Sequence, residues 1–208
     1  KEVDADIIMA SDPDADRVGV VVKNLKGEYE LLNGNQIVMI FLYYLMQRNK
    51  ELGTLTGKEY IVKTIVKTYN IKKNVVKQII KLYDSCTGVK WIEIVMRENE
   101  GIARYLGGGE ESYGFLAEDF VRDKDAVSAV SLMAEIAAWG KEKGLDMNAI
   151  LIDIYKTYGY SKEKGVSLVR QGKSGAEEIA AIMKQFRENP IKSLAGSPVV
   201  MVKDFATL

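Results

Sequence analysis

The chain has 208 residues, 47% of them hydrophobic, with 29 basic and 29 acidic side chains, one cysteine and no histidine. This composition is typical of a globular protein, and its zero net charge provides no general attraction for nucleic acid or an anionic membrane surface. The lack of histidine excludes Ser-His-Asp and Cys-His catalysis and disfavours zinc. One cysteine forms no internal disulfide, which is compatible with the cytoplasm, and the most apolar run, 37–46, is too short to span a bilayer.

Apolar residues recur along the chain with periods that predict alternating strands and helices. Strands are expected at residues 6–10, 18–23, 28–32, 60–66 and 105–106, with a last strand-like segment at 199–202. Helices are expected at 35–48, at 71–82, after 87, at 126–139 and at 174–186. Turn residues between the second and third strands predict a hairpin, and the alternation as a whole predicts an α/β fold.

Several residues signal helix ends. Asn33 is expected to cap the first helix. The fourth helix is apolar on nearly every side, so we expect it to be buried and to end at Gly140 or Gly144. Ser174 and Glu177 have the spacing of a capping box and are expected to start the last helix.

The segment SDPDADR, residues 11–17, is called the acidic loop here. Asp12, Asp14 and Asp16 alternate, so an extended loop can turn all three carboxylates toward one point. Their mutual repulsion would favour a hard divalent cation such as Mg²⁺. The loop follows a strand, the position where α/β sheets bind ligands.

Other interpretations of the acidic loop are less consistent with the sequence. An EF-hand requires glycine and glutamate at positions where this chain has Arg17 and Lys23. A phosphatase motif of the haloacid-dehalogenase type, DxDx[TV], matches Asp12 and Asp14 but meets Asp16 where threonine or valine is expected. A Mg²⁺-dependent phosphatase therefore stays open, as does a solvated acidic turn.

The glycine-rich segment, GGGEESYGF at residues 107–115, is the second candidate. Its glycines are expected to form a loop with close backbone approach. Glu110, Glu111 and Ser112 offer oxygens suited to sugar hydroxyls, although a solvated glycine-rich turn is an alternative. Lysines between residues 58 and 81 are interpreted as a solvated helix face rather than a nucleic-acid surface, because the chain has no net positive charge.

Four segments together resemble the α-D-phosphohexomutases, the phosphoglucomutase and phosphomannomutase superfamily. The acidic loop, extended to SDPDADRVGV, resembles that family's metal loop, and the glycine-rich segment resembles its sugar loop. TGVKWI at 87–92 is similar to the TGFK or TGWK segment, with Val89 in place of the usual aromatic residue, and FVRDKDAV at 120–127 is similar to RDKDA. The form GEESYG is similar to the phosphoglucomutase branch.

The resemblance implies four domains, of which the chain would contain a part. Residues 1–32 would be the tail of domain two with the metal loop. Residues 33–158 would be domain three, an α/β domain whose mixed sheet is flanked by helices, and 159–208 would lead into domain four. The chain has no segment like the family's TASHNP serine loop or its RPSGTEP phosphate loop. We therefore expect a fragment that is catalytically inactive alone.

The resemblance also implies roles for individual residues. Asp12, Asp14 and Asp16 would bind Mg²⁺, and Arg17 would lie near the active-site phosphate. Lys124 is the candidate acid or base, which is consistent with the lack of histidine. The candidate substrate-binding residues are Glu110 and Ser112, at the hexose hydroxyls, and Thr87, Gly88 and Lys90, in a substrate-side loop.

The activity implied is interconversion of hexose 1-phosphate and hexose 6-phosphate, with glucose or mannose, through a phosphoserine. Hexose 1,6-bisphosphate would be the intermediate and activator. Expected partners are the hexose phosphate, the remaining domains and a second copy of the fragment, with no nucleic acid and no membrane, in the cytoplasm. The alternatives are the phosphatase and a non-catalytic module that binds a sugar phosphate or a metal.

Overall fold

A computed structural model describes residues 2–64, 80–161, 166 and 168–204. The chain divides into two compact units, Lys1–Lys162 and Glu163–Leu208. The first unit contains β1 (Ile7–Ser11), β2 (Val18–Lys23), β3 (Tyr29–Leu31), α1 (Gly34–Glu51), β4 (Glu59–Thr64), β5 (Lys81–Ser85), α2 (Val89–Glu98), β6 (Arg104–Gly109), β7 (Phe115–Leu116), α3 (Ala126–Glu142) and α4 (Met147–Tyr158). The second contains α5 (Gly172–Glu188), β8 (Ser193–Leu194) and β9 (Ser197–Pro198).

The first sheet is antiparallel, in the order β1-β2-β3. The predicted hairpin between β2 and β3 is confirmed, with Asn24 N–H donating to the carbonyl oxygen of Glu28 (2.8 Å) and Gly27 in a left-handed conformation (φ 76°). β1 pairs with β2 through Ile8 opposite Val21 and forms an edge of this sheet. The acidic loop is the connection between these two strands.

The second sheet has the order β5-β4-β6-β7, parallel except for β7, and confirms the mixed sheet flanked by helices. Lys81 and Leu82, predicted as the end of a helix, instead belong to β5. Ile80 precedes β5 and is not helical, while residues 71–79 of that predicted helix and the last two residues of the strand predicted at 60–66 lie outside the described residues. β5 has the sequence KLYDS, whose polar composition hid a strand from a search for apolar runs.

The core is centred on α1, which contacts the second sheet through β6 and also packs on α3 and α4. Asn33 caps α1 as predicted: Asn33 and Gln36 exchange backbone and side-chain hydrogen bonds of 2.9 Å. β1 and β2 pack on α3, and β2 also packs on α4, so this core contains residues on both sides of position 33. The domain boundaries drawn from the resemblance stay predictions.

α3 buries one face, including Ala129, Met133 and Ile136, while Val127 is 72% exposed. The expectation of burial on nearly every side is therefore wrong. Small alanine and serine residues made the helix look uniformly apolar, although they face solvent at little cost. α3 ends at Glu142, two residues before the left-handed Gly144 (φ 70°), rather than at Gly140.

The second unit differs from expectation at both of its predicted elements. α5 begins at Gly172 after Gln171, and no side chain caps it, so the predicted capping box at Ser174 is wrong. A Cβ at Gly175 would lie 2.7 Å from Arg170 Cβ, so the first turn of the helix packs closely on Arg170. Residues 199–202 form no strand; Pro198 at the end of β9 cannot donate to a further ladder.

Among the helices of the described residues, none combines the length and the apolar composition needed to cross a membrane.

Candidate active site

The acidic loop is a tight turn, not the extended segment expected from its alternating aspartates. In an extended chain, at about 3.3 Å per residue, Asp12 and Asp16 would lie about 13 Å apart. Instead Ala15 N–H donates to the carbonyl oxygen of Asp12 (3.0 Å), and Ala15 is left-handed (φ 54°). The turn brings carboxylate oxygens of Asp12, Asp14 and Asp16 within 4.8 Å of one another.

The Asp12 side chain organises this turn. Its Oδ1 accepts hydrogen bonds from the backbone N–H groups of Asp16 (3.1 Å) and Arg17 (3.0 Å), and its Oδ2 accepts one from Arg17 Nε (2.5 Å). Desolvation opposes ionisation, but the hydrogen bonds from Arg17 and Asp16 outweigh it and lower the pKa of Asp12 to about 2. Arg17 Nε also donates to Asp16 Oδ1 (3.2 Å). The guanidinium therefore neutralises part of the charge of two aspartates.

The glycine-rich segment forms the end of β6, a hairpin turn and β7. Residues 107–109 belong to β6, so the expected loop begins only at Glu110. A Cβ at Gly108 would lie 2.5 Å from the carbonyl oxygen of Val62, which shows that β6 approaches β4 too closely for a side chain. Glu110 N–H donates to the carbonyl oxygen of Gly114 (2.8 Å) and closes the hairpin.

Glu110 and Glu111 have different partners. Ser112 Oγ donates to Glu110 Oε2 (2.9 Å), while Glu110 Oε1 is buried without a donor in the part of the chain that the structure describes. A buried acceptor without a donor is costly, so this oxygen is suited to a donor from a ligand. Glu111 Oε2 accepts a hydrogen bond from Thr64 Oγ1 (2.8 Å). The sequence interpretation missed Thr64, although a polar residue at the carboxyl end of a buried parallel strand is a detectable signal.

Two backbone hydrogen bonds join the acidic loop and the strand after it to the other elements. Val18 N–H donates to the carbonyl oxygen of Tyr113 (3.2 Å), and Ala126 N–H donates to that of Ala15 (2.9 Å). Ala126 begins α3, where N–H groups have no partner within the helix. Tyr113 is also left-handed (φ 74°), so each of these carbonyl acceptors belongs to a strained residue held by another element.

Lys124 connects the acidic loop to the glycine-rich segment. Its Nζ lies 2.7 Å from Asp16 Oδ2 and 3.9 Å from Glu110 Oε2, and its side chain is 16% exposed. Desolvation alone would lower the pKa of Lys124, but the hydrogen bond to Asp16 and the charge of Glu110 raise it. A lysine base near neutral pH needs a lowered pKa. In this arrangement Lys124 is a protonated donor, which suits an acid or a fixed cation.

The strand β5 is followed by Thr87, Gly88 and Lys90. Because β5, β4 and β6 are parallel, the carboxyl ends of β5 and β6 lie on the same side of the sheet. Gly88 precedes α2 in a left-handed conformation (φ 111°), and Lys90 Nζ lies 4.9 Å from the centre of the neighbouring indole ring. Within residues 80–161, no hydrogen bond or ion pair joins these three residues to Glu110 or Lys124. The structure therefore places them on the expected side of the sheet but does not bring them into the cluster.

Lys63 lies at the same edge, and for it the prediction of a solvated helix face is wrong: it belongs to β4 and is buried. The Lys63 side chain is 8% exposed, and its ammonium lies 2.5 Å from Asp84 Oδ1. The two residues are paired in register near the ends of β4 and β5. A lysine directly after the apolar residues 60–62 of a strand is the signal that could have identified this pair.

The three aspartates of the acidic loop fit a magnesium ion in the chemistry of their ligand atoms. Mg²⁺ prefers carboxylate oxygens and usually keeps several waters. Asp14 is exposed and has no hydrogen bond or ion pair among the described residues, whereas Asp12 and Asp16 are paired with Arg17 and Lys124. An arriving ion would therefore meet one free carboxylate and two that already have cationic partners.

Comparison with known proteins gives the family. Residues 33–158 match the sequence profile described as "Phosphoglucomutase/phosphomannomutase, alpha/beta/alpha domain III". A phosphoglucomutase of Staphylococcus epidermidis is 34% identical over 210 residues, which cover 99% of this chain and 37% of that protein. The chain belongs to the phosphoglucomutase/phosphomannomutase family. It spans little more than a third of the length of this relative.

Solved structures show the same fold. A putative phosphomannomutase from Thermus thermophilus superposes with a TM-score of 0.59 at 23% identity, covering 74% of this chain and 31% of the other. A phosphoglucomutase/phosphomannomutase family protein from Burkholderia thailandensis gives 0.57 at 24% identity, covering 74% and 30%. At these identities the likeness concerns the fold alone.

Proposed function

We propose that the chain is the part of a phosphohexomutase that binds Mg²⁺ and the hexose, in an enzyme that interconverts hexose 1-phosphate and hexose 6-phosphate. The observation that carries the proposal is the position of Lys124, whose ammonium lies between Asp16 of the acidic loop and Glu110 of the glycine-rich segment. A metal-bound phosphoryl group and a hexose hydroxyl would thus meet at one cluster. The phosphoglucomutase relative at 34% identity supports glucose phosphates as substrates.

In the proposed reaction, the oxygen–phosphorus bond of a phosphoserine breaks as a hexose hydroxyl forms a new bond to the same phosphorus, and in net terms the hydroxyl proton passes to the serine oxygen. The resulting hexose 1,6-bisphosphate then returns its other phosphoryl group to the serine. Asp12, Asp14 and Asp16 would hold the Mg²⁺, which when bound neutralises phosphoryl charge. The serine would come from residues outside this chain, whose sequence has no segment like the family's serine loop.

The chain's own residues would orient the sugar and supply fixed charge. Glu110 would accept hydrogen bonds from hexose hydroxyls, with Ser112 holding the carboxylate at Oε2. Lys124, protonated between two carboxylates, would donate a proton or a hydrogen bond to the serine oxygen as it leaves the phosphorus, and the proton released by the hexose hydroxyl would restore the ammonium. Arg17 would stay close to the transferring phosphoryl group, because it is tied to the turn that would hold the metal.

The remaining parts of the proposal concern partners and compartment. Hexose phosphate, hexose 1,6-bisphosphate as activator, and the further domains of the longer protein are the proposed partners. The single cysteine is compatible with the cytoplasm as the compartment. Thr87, Gly88 and Lys90 are proposed to approach the substrate from the end of β5.

The test uses a longer protein that contains this chain together with the further segments present in its relatives. With glucose 1-phosphate, glucose 1,6-bisphosphate and Mg²⁺ it should form glucose 6-phosphate, whereas the chain alone should not. Glu110→Gln should lower turnover about 100-fold, because a hydroxyl loses its charged acceptor. Glu142→Gln, an equal change of charge at the exposed end of α3, should leave turnover unchanged.

Other outcomes would favour the alternatives. Release of inorganic phosphate without isomerisation would indicate the phosphatase. Binding of the sugar phosphate without either reaction would indicate a non-catalytic module. Turnover by the chain alone, abolished by Asp12→Asn, would contradict the assignment of the phosphoryl donor to other segments.

A further inference from the structure

Gly114 ends the hairpin of the glycine-rich segment and lies directly under the Lys124 side chain. A Cβ at Gly114 would be 2.2 Å from Lys124 Cδ, 3.1 Å from Cγ and 3.4 Å from Cε. Carbon atoms in contact are normally about 3.5–4.0 Å apart, so no side chain fits while Lys124 keeps this path. Gly114 does not have a left-handed φ. The contact with Lys124, and not the backbone conformation, therefore explains why position 114 is a glycine.

The path of Lys124 decides where its ammonium lies. The aliphatic part of the Lys124 side chain crosses Gly114, and its Nζ lies 2.7 Å from Asp16 Oδ2 and 3.9 Å from Glu110 Oε2. We propose that Gly114 is a positioning residue: by lacking a side chain, it lets Lys124 bridge the acidic loop and the glycine-rich segment. The catalytic meaning of this inference rests on the proposed function of Lys124, while the positioning itself does not.

The backbone on both sides of this contact is held in place. Gly114 accepts a hydrogen bond from Glu110 N–H (2.8 Å) and precedes β7. Lys124 stands two residues before Ala126, whose N–H binds the acidic loop, and next to Asp125, which caps α3. The lysine stem, in contrast, rotates about four single bonds. A methyl group at position 114 would therefore move the lysine side chain before it moved the backbone.

The experiment measures how fast each lysine of the chain reacts with N-hydroxysuccinimidyl acetate, followed by peptide mass spectrometry at fixed pH and salt. In Gly114→Ala, labelling of Lys124 should rise about fivefold, the ratio of the 78% exposure of Lys141 to the 16% exposure of Lys124. Lys63, 8% exposed, is the internal reference and should not change. Gly19→Ala is the matched control, because its Cβ meets no atom closer than 3.8 Å.

Two results would overturn the inference. Labelling of Lys124 in Gly114→Ala equal to that in Gly19→Ala would show that the lysine keeps its path. A parallel rise at Lys63 would show that the substitution opens the fold and that Gly114 has only a general structural role. The labelling of Lys124 and Lys63 is measured without a sugar phosphate and without turnover. The positioning role of Gly114 is therefore tested even if the proposed function is wrong.

A second measurement covers the case in which Gly114→Ala does not fold. In a Lys124→Ala background the stem is absent, and Gly114→Ala should leave the denaturant midpoint unchanged. Loss of stability in that background as well would show that Gly114 is needed for a reason other than Lys124, and would contradict the proposal.

Discussion

Asp14 differs from its two neighbours in the acidic loop by having no cationic partner among the described residues. Asp12 is surrounded by donors from Arg17 and Asp16, and Asp16 contacts both Arg17 and Lys124. An ion that enters the loop would compete with side chains at two positions and with water alone at the third. Asp14 is therefore the position at which a change of charge acts most directly on metal binding.

Asp14→Asn should weaken Mg²⁺ binding by about tenfold or more, because the site loses an anionic oxygen ligand. Isothermal titration calorimetry of the chain with MgCl₂ measures this change. Asp119→Asn, the same substitution at an exposed aspartate outside the acidic loop, should bind Mg²⁺ as the unchanged chain does. Equal affinities for the two variants would show that the acidic loop does not hold the ion through Asp14.

At this scale the sequence predicted which residue types meet but not how they do so. The alternation of Asp12, Asp14 and Asp16 indicated convergence, whereas the turn that produces it depends on the left-handed Ala15 and on its hydrogen bond from α3. An alanine carries no signal for that conformation, in contrast to glycine or asparagine. Thr64 has a signal in its position at the carboxyl end of β4, but its contact with Glu111, 47 residues away in the chain, depends on the fold.

α1 and the glycine-rich segment are in close contact at Gly34. A Cβ at Gly34 would lie 2.0 Å from the carbonyl oxygen of Glu111 and 3.0 Å from Tyr113 N. These are backbone atoms, so relief requires a shift of the hairpin or of the helix. The start of α1 thus supports the turn that presents Glu110 and Ser112.

Gly34→Ala should lower the free energy of unfolding by about 1–3 kcal/mol, because overpacking against backbone outweighs the gain of up to about 1 kcal/mol from replacing glycine in a helix. Guanidinium chloride denaturation followed by circular dichroism measures this change. A Cβ at Gly19, in β2, would meet no atom closer than 3.8 Å, so Gly19→Ala should lower the free energy of unfolding much less. A stability at or above that of the unchanged chain would mean that the hairpin moves away freely.

Among the elements, those with regular periodicity were predicted and those defined by tertiary contacts were not. β2 has a valine at every second position, at Val18, Val20 and Val22, and α1 has a capping signal at Asn33; both appear as expected. β5 is recognisable as a strand only beside β4, because its own residues are largely polar. From the sequence, the glycines at 107–109 indicated a loop. In the structure they belong to β6, and glycine is needed there because β6 lies very close to β4.

Among the described residues, no further strand pairs with β1, so β1 is an edge of the first sheet, which bears on how the whole molecule associates. β1 has the sequence IIMAS, without charge or proline, and Ile8 is 42% exposed. Natural edge strands usually carry a charged residue, a proline or a bulge that prevents further pairing. We therefore expect the self-association predicted from the sequence to occur through β1.

Ile8→Lys should reduce self-association of the chain, because a charged side chain on an edge strand opposes pairing with a second strand. Sedimentation velocity over a range of protein concentrations should show a shift toward monomer. Leu25→Lys adds the same charge in the turn between β2 and β3, where Leu25 is 84% exposed, and should leave association unchanged. A chain that is monomeric at every concentration, or an equal effect of both substitutions, would contradict the role of β1.

The packing of β2 also bears on how the gene can be divided for expression. Val18, Val20 and Val22 lie in the same core as α1, α3 and α4, although they precede the range that matches the family profile. A gene shortened to begin at residue 33 would leave the apolar faces that β1 and β2 cover open to water, and such faces promote aggregation. The family profile marks the range of one domain. The smallest piece that stays in solution is decided by which apolar surfaces the polypeptide still covers.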